Sequence, residues 1–463
     1  MVQRIARNRW LGWALDGVWL LALAVYIFAG LNAAPFHGDE ATLLFMSHDY
    51  YFLVQERDVE RVLYTETPPD PSEQELRIIN GTVPKMLMGL AWDLAGLTVH
   101  DLNDQWAWGF RDPSGKWDEW TWNHTFGHVP SDDLLRAGRA SSAALLALSA
   151  AVLFAIARWI VPARWAAWLA SGLYVTQPAV LLNGRRSMME GGMLLGATLV
   201  ILAAIGLLRA QARPSARTVT RWAWAMALGV AGGFALANKH TNAIVVAIAF
   251  AVTLVEPLIR RGDTGARFDR AHVARLVIAG ALVFAVFFVL NPAWWSDPLP
   301  MPERVIDLRR DLMAGQLKGF GGYASWGDRI TGVFDEAFFA PLQYFEVEVW
   351  QEWIGDQIVA YEAKGLLAGR PLGPVGGGLV AVGFAIGAVA LARRWREGPA
   401  LLGVLWPVLT ALTVFLATPL DWQRYYLPLH PGIALVAAAG VAWLAQRIAG
   451  WERTGERAAH VVD

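Results

Sequence analysis

Ten apolar runs, each long enough to cross about 30 Å of hydrocarbon, divide the chain. They lie near 11–31, 139–157, 165–182, 189–208, 222–237, 241–258, 274–292, 372–392, 399–418 and 426–446. Polar segments separate them, and their charge alternates. Arg4, Arg7 and Arg9 precede the first run, and Arg158 and Arg164 follow the second. Arg209, Arg213, Arg217 and Arg221 follow the fourth, and Arg260, Arg261, Arg267 and Arg270 the sixth. Arg393, Arg394 and Arg396 follow the eighth, and Arg447, Arg453 and Arg457 the last. If all ten runs cross, these segments share one side. The positive-inside rule then predicts that both termini are cytoplasmic. The first run has a basic start and small residues in "LNAAP", as a cleaved signal would. Its length argues for an anchor instead. Asp16, inside that run, is expected to snorkel to the interface.

The opposite face is uneven. Residues 32–137 and 293–371 form two large loops, and the remaining outer turns are short: "NGRRSMME", "ANKHT" and "PLDWQRYY". The chain therefore reads as a module over 1–292, a second loop over 293–371, and C-terminal spans with a tail over 372–463. No internal repeat accompanies the unequal loops, which argues against paired transporter halves. In the first loop, "RDPSGK" is a turn signal between aromatic runs and predicts a short hairpin. Trp106, Trp108, Trp117, Trp120 and Trp122 suit the lipid headgroup level, where tryptophan is enriched, better than a sugar-stacking role. Pro84 suits a helix start. The stripe Met86, Leu87, Leu90, Leu94 and Leu97 predicts an amphipathic surface helix with Lys85 in its first turn, at headgroup depth.

Composition agrees with a polytopic all-α membrane protein. Of 463 residues, 55% are hydrophobic and 17% charged, and the mean hydropathy is +0.35. Soluble domains carry about a quarter charged residues. The absence of cysteine excludes disulfides, thiolate metal sites and a cysteine nucleophile. Nothing in the chain suggests a nucleic-acid partner.

The outer face gathers unusual charges. Asp39 and Glu40 follow the first run directly, as candidate catalytic carboxylates; acids at such depth are rarely idle. Adjacent side chains cannot share one face of a helix or strand, so at most one points at a given reacting atom. Arg185 and Arg186 run against the positive-inside trend, and arginine grips phosphate through its bidentate fork. Glu190 stands at helical i, i+4 spacing from Arg186 and is positioned to orient it. Lys239 and Arg424 add outer cations, with Tyr425 beside the latter, and Arg139 opens the second run. Cations at the membrane surface with one carboxylate suit a lipid-phosphate substrate: the cations hold phosphate and the acid takes a proton. Asp39, Glu40 and nearby His37 could together ligate a hard cation. No second acidic cluster has a defined spacing, so no metal or other cofactor is expected.

Several stretches resemble membrane glycosyltransferases of the type C fold, nearest the protein O-mannosyltransferases and the aminoarabinose lipid A transferases. "GDEA" resembles that family's acidic motif after the first span. "VPKMLMGL" resembles its "HPPL-KML" helix, with Thr82 and Val83 at the His and first Pro positions. "RRSMMEGGMLL" resembles an "R-x-x-x-x-D" motif, with Glu190 for the aspartate. "GGFALANKHTN" and "RYYLPLHP" resemble further segments. The resemblance implies a type C architecture with amphipathic surface helices on a large first outer loop. It implies Asp39 as catalytic base, Lys85, Arg185 and Lys239 near a donor phosphate with Arg424 as a further contact, and a bacterial plasma membrane location. The expected activity is transfer of a sugar from a polyprenyl-phosphate donor to an acceptor hydroxyl of a protein, glycolipid or polysaccharide outside the cytoplasm, with inversion. A transporter or flippase of a lipid-linked sugar is the alternative. It would need polar residues near mid-bilayer, whereas these runs are mostly Ala, Leu, Val and Gly with charges at their ends.

Overall fold

The structure, a computed structural model, describes residues 9–213, 215–264, 270–370 and 373–459. Arg4, Arg7 and Arg267 lie outside these residues, and the side chains of Arg9, Arg260, Arg261, Arg453 and Arg457 are likewise not described. The described residues are helical with no strand. Eight of the helices are long and apolar enough to cross a membrane.

The chain starts with α1 (Arg9–Ala29). The first loop holds α2 (Gly38–Met46), α3 (Pro71–Ile79), α4 (Thr82–Leu94) and α5 (Glu119–Thr125). The spanning bundle follows: α6 (Asp132–Ile160), α7 (Arg164–Val175), α8 (Pro178–Arg185), α9 (Glu190–Ala212), α10 (Thr218–Asn238), α11 (Ala243–Thr264) and α12 (Arg270–Leu290). The second loop contains α13 (Met301–Phe320), α14 (Trp326–Phe338) and α15 (Trp350–Glu362). Last come α16 (Gly373–Ala392), α17 (Gly398–Ala417) and α18 (His430–Ala459).

Two expected spans differ from the rest. The run at 165–182 is broken into α7 and α8, because Pro178 cannot donate to a continuing helix and disfavours helical geometry at Gln177. The run at 222–237 lies in α10, whose 21 residues include Thr218, Arg221 and Asn238, polar groups that dilute its hydropathy below the other eight. The expected hairpin is a turn without strands. Asp112 accepts from the backbone N–H groups of Ser114, Lys116 and Trp117, and Phe110 stacks on Trp122 with centroids 4.2 Å apart.

Helix ends sort into two sets. Arg209 donates to the Trp159 carbonyl (2.9 Å), Arg394 to the Ile160 carbonyl (3.1 Å), and Arg164 pairs with Asp16 (2.8 Å). These contacts collect basic connections at one end. Asp16 is thus buried, and it also accepts from Trp168 Nε1. The snorkelling expectation fails because Arg164 and Trp168 reach the acid inside the bundle. The opposite end collects the start of α6, the end of α8, the start of α9, the end of α10 and the segment before α18.

α9 forms the centre, packed against α6 and α10 and buried almost throughout. α16 and α18 meet backbone to backbone. A Cβ on Gly387 would lie 1.8 Å from the Val436 carbonyl oxygen, and one on Gly440 would lie 2.0 Å from that of Gly383. Small residues permit such approach in lipid, where side-chain burial offers little drive.

Two of the five loop tryptophans, Trp106 and Trp120, pack inside the protein and not along a headgroup belt. Phe36, Trp106, Trp120, Trp350 and Trp353 pack into one aromatic cluster joining both large loops, with Trp106 fully buried. The second loop supplies the partner rings that a local reading of the first loop lacks.

Candidate active site

α2 opens the site. His37 caps it: its Nδ1 accepts from the Asp39 N–H (3.1 Å) while Glu40 reaches back to the His37 N–H (3.2 Å). This capping box fixes the direction in which both acids leave the helix. With Nδ1 accepting, Nε2 carries the proton and donates to Glu346 Oε2 (2.8 Å). Arg424 closes the arrangement. Its Nη1 donates to Asp39, and its Nε lies 3.0 Å from Glu346 Oε1.

Asp39 is the open member of this group, with 29% of its side chain exposed against 13% for Glu346 and 15% for Arg424. Burial alone would raise the Asp39 pKa, but Arg424 and His37 outweigh it and hold the carboxyl below the ordinary range. Asp39 is therefore ionised at neutral pH, accessible, and tied to a cation that could also bind another anion.

Glu40 leaves the helix about 100° around from Asp39. Its side chain is 0% exposed. Arg139 grips both oxygens at 2.8 Å, and the Ser187 N–H donates to Oε1 at 2.8 Å. With both oxygens engaged and no solvent access, Glu40 anchors α2 to α6 and to the chain before α9. It has no room to act as a second catalytic carboxylate. Arg139 supports the site through this pair.

The predicted cations occupy distinct places. Lys85 is fully buried and not open to headgroups, because Asp49 draws it inward at 3.2 Å. Asp49 is also held by Arg77 (2.8 Å), beside His48 and Glu73. Lys239 pairs with Glu190 at 2.8 Å, so Glu190 serves Lys239 rather than Arg186. Arg186 instead donates to the carbonyls of Pro35 (3.0 Å) and Tyr344 (2.7 Å). Arg185 is buried against α1, donating to the Ile27 and Tyr26 carbonyls and the Tyr361 hydroxyl. Both arginines, adjacent in sequence to a helix break, tie the loops to the bundle through carbonyls. Tyr425 stacks on Trp422 and donates to Gln316 (3.3 Å).

Electrostatic coupling joins several of these groups. Arg309 lies within electrostatic range of Asp39 and Arg424, near Tyr425, and its Nη2 donates to the Ile79 carbonyl. Glu190 acts on Arg424, and Lys85 on His240. The structure thus brings Asp39, Arg424, Tyr425, Lys239 and Glu190 to one end of the bundle and adds Arg309 and Glu346. Lys85 sits in the neighbouring sealed cluster, and Arg185 stands apart.

His48, Asp49 and Glu73 are the described side chains that place metal-binding atoms within 4.8 Å of one another. They do not suit a metal ion, because Arg77 and Lys85 already supply positive charge at the same oxygens. His37, with Nδ1 on the helix cap and Nε2 on Glu346, has no lone pair left for a metal beside Asp39 and Glu40.

Glu346 and Arg309 escaped the sequence reading, and His37 was weighed there only as a metal ligand. "FEVEVW" put an acid in an aromatic run, the one local cue for Glu346. Arg77, four residues after Glu73, was legible as a helix pair.

Residues 105–295 match the family model of dolichyl-phosphate-mannose-protein mannosyltransferases. Among solved structures, apo ArnT from Cupriavidus metallidurans is similar at TM-score 0.50 and 15% identity, over 97% of this chain and 63% of that one. The same protein bound to undecaprenyl phosphate gives 0.49 at 16% identity, over 93% and 60%. The S. cerevisiae protein O-mannosyltransferase Pmt1-Pmt2 complex bound to the sugar donor gives 0.43 at 14% identity, over 63% and 34%. The chain thus spans less than two thirds of the length of these relatives. A search of curated proteins returns no match. The chain is a multi-pass membrane protein of the type C glycosyltransferase fold, similar to protein O-mannosyltransferases and ArnT.

Proposed function

We propose that the chain transfers a sugar from a polyprenyl-phosphate donor to an acceptor hydroxyl, at the face of the membrane away from its basic connections. One observation carries the reading: an accessible carboxylate, Asp39, is held by Arg424 at the end of the bundle where Arg309 and the Lys239–Glu190 pair also lie. The basic opposite end points to the cytoplasm by the positive-inside rule.

The geometry supports a single displacement. Asp39 takes the proton of the acceptor hydroxyl as that oxygen attacks the anomeric carbon. The bond from that carbon to the phosphate oxygen breaks, and polyprenyl phosphate leaves with the electron pair. Arg424, with Lys239 and Arg309 nearby, offsets the charge on the leaving phosphate. No strong general acid is needed, because a phosphate monoester leaves readily once neutralised. Inversion at the anomeric centre follows.

Arg424 links the steps. In the free site it is bound to Asp39 and Glu346. A donor phosphate shares the guanidinium, and Asp39 becomes a stronger base as its partner turns away. Reconstitution with radiolabelled polyprenyl-phosphate mannose, glucose and arabinose, following label into protein and lipid fractions, tests the proposal. Label should reach an acceptor from at least one donor, with inverted configuration. No transfer from any of the three, or retained configuration, sinks it.

A further inference from the structure

The second loop contains a helix whose surface divides three ways. At about 100° per residue, α14 turns Arg329, Val333 and Glu336 toward the protein. Asp328 and Asp335 are exposed on a second sector. The third sector carries Trp326, Ile330 and Phe334, exposed by 60%, 60% and 51%. Among the described residues this apolar i, i+4, i+8 stripe is covered only at its edges and stays more than half exposed, although a soluble loop helix would place such residues inward.

Its surroundings fix its level. Ser325 caps the helix by accepting from the Asp328 N–H (3.1 Å). Arg329 donates to the carbonyls of Phe415 (3.2 Å) and Leu416 (3.4 Å), in the last turn of α17, and its guanidinium lies 4.6 Å over the Trp326 ring. Trp326 itself packs on Phe415. At the other end, Phe338 and Phe339 press on α16 near its start, where a Cβ on Gly377 would sit 2.2 Å from the Phe338 carbonyl oxygen. α14 therefore lies across the ends of two spanning helices. Its stripe continues their outward surfaces, which expose Leu412 and Leu416 on α17 and Val375 and Leu379 on α16.

We propose that α14 is a membrane-interface helix, with Trp326, Ile330 and Phe334 seated in the hydrocarbon boundary of the bilayer and Asp328 and Asp335 in water. Continuity with two lipid-facing surfaces, at the last turn of α17 and the first turns of α16, identifies the occupant as lipid. An amphipathic helix at that depth has its apolar sector in acyl chains and its acids above them. The buried side of the same helix braces the segment that carries Arg424, since Gln423 donates to the Pro341 carbonyl (2.9 Å) and receives Gln343 (3.0 Å) just beyond the end of α14.

The chain contains no cysteine, so single-cysteine variants take a nitroxide label without further engineering. Ile330→Cys and Asp335→Cys, with Leu412→Cys as the lipid-facing reference, are reconstituted in phosphatidylcholine vesicles containing some phosphatidylglycerol. Power-saturation spectroscopy then compares collision with oxygen, which concentrates in lipid, and with a water-soluble nickel chelate. The label at Ile330 should resemble that at Leu412, favouring oxygen, and the label at Asp335 should favour nickel. A nickel-favouring label at Ile330 overturns the proposal because the stripe then faces water. A label at Ile330 shielded from both reagents also overturns it, because another protein surface then covers the stripe. All three positions are exposed, so folding is not at issue, and the readout does not depend on sugar transfer.

Discussion

Asp39 and Asp49 lie ten positions apart, and each is gripped by arginine, yet they sit in opposite situations. Asp49 is sealed: its side chain is 3% exposed, with Arg77 on one side and Lys85 on the other. Asp39 has one strong partner and an open edge. Glu40 and Arg139 repeat the sealed arrangement one residue from the open one. The contrast teaches that charge pairing near a membrane surface does not by itself mark chemistry. A sealed pair has no alternative partner, so its contribution is to hold helices together. An open pair can exchange a partner for a substrate, and only that kind can take part in a reaction.

The sharpest way to break the comparison is at the acids themselves. Asp39→Asn should reduce sugar transfer by about 10²–10⁴-fold, the usual worth of a general base, with the unfolding temperature unchanged. A variant that turns over normally would remove Asp39 from the mechanism and erase the distinction. Asp49→Asn should do the reverse. It leaves Lys85 buried without its counter-charge and Arg77 with Glu73 alone, at a cost of about 3–5 kcal/mol, read as a lower unfolding temperature. Acid should act in the same place. Burial opposes ionisation, but Lys85 and Arg77 bring Asp49 to about 2, and His48 and Arg77 bring Glu73 to about 2, against 3.8 and 4.5 for the free groups. Folded pKa values below the unfolded ones give stability that is complete above the unfolded values and lost as pH falls toward 2. Asp49→Asn should flatten that limb, and an unchanged acid limb would mean the cluster is not sealed.

A smaller effect separates free from occupied enzyme. Arg424 keeps Asp39 low in the free site, and in the proposed mechanism donor phosphate draws Arg424 away. The acid limb of kcat should therefore lie at higher pH than that of kcat/KM. Coincident limbs would show that Arg424 does not change partners. Least of all should EDTA matter: turnover is expected to be unaffected, and a loss restored by a divalent cation would make one of the two clusters a metal site.

Much of this was legible in the chain. Hydrophobic runs located eight apolar helices because lipid leaves little choice of structure there. Side-by-side acids after the first run marked the site, since short-range position is what sequence carries best. The cations were found, but not their partners within the protein. Arg186 was matched to Glu190, four residues on, whereas Glu190 meets Lys239 across two helices. Lys85 was placed in headgroups because Asp49 lies a loop away in sequence and touches it only after α2 and α4 pack. Glu346 was invisible for the same reason: its role exists only where the second loop folds over the first. Local periodicity predicts a helix face, but it cannot tell which distant residue fills it.

The glycine contact between α16 and α18 has its own consequence. A gap lined by side chains can widen when one of them swings to another rotamer. Here bare main chain meets main chain, so nothing can step aside, and separating the two helices would mean moving whole rods. That part of the molecule is a wall, and any lipid tail that enters from the bilayer must find its doorway elsewhere on the perimeter.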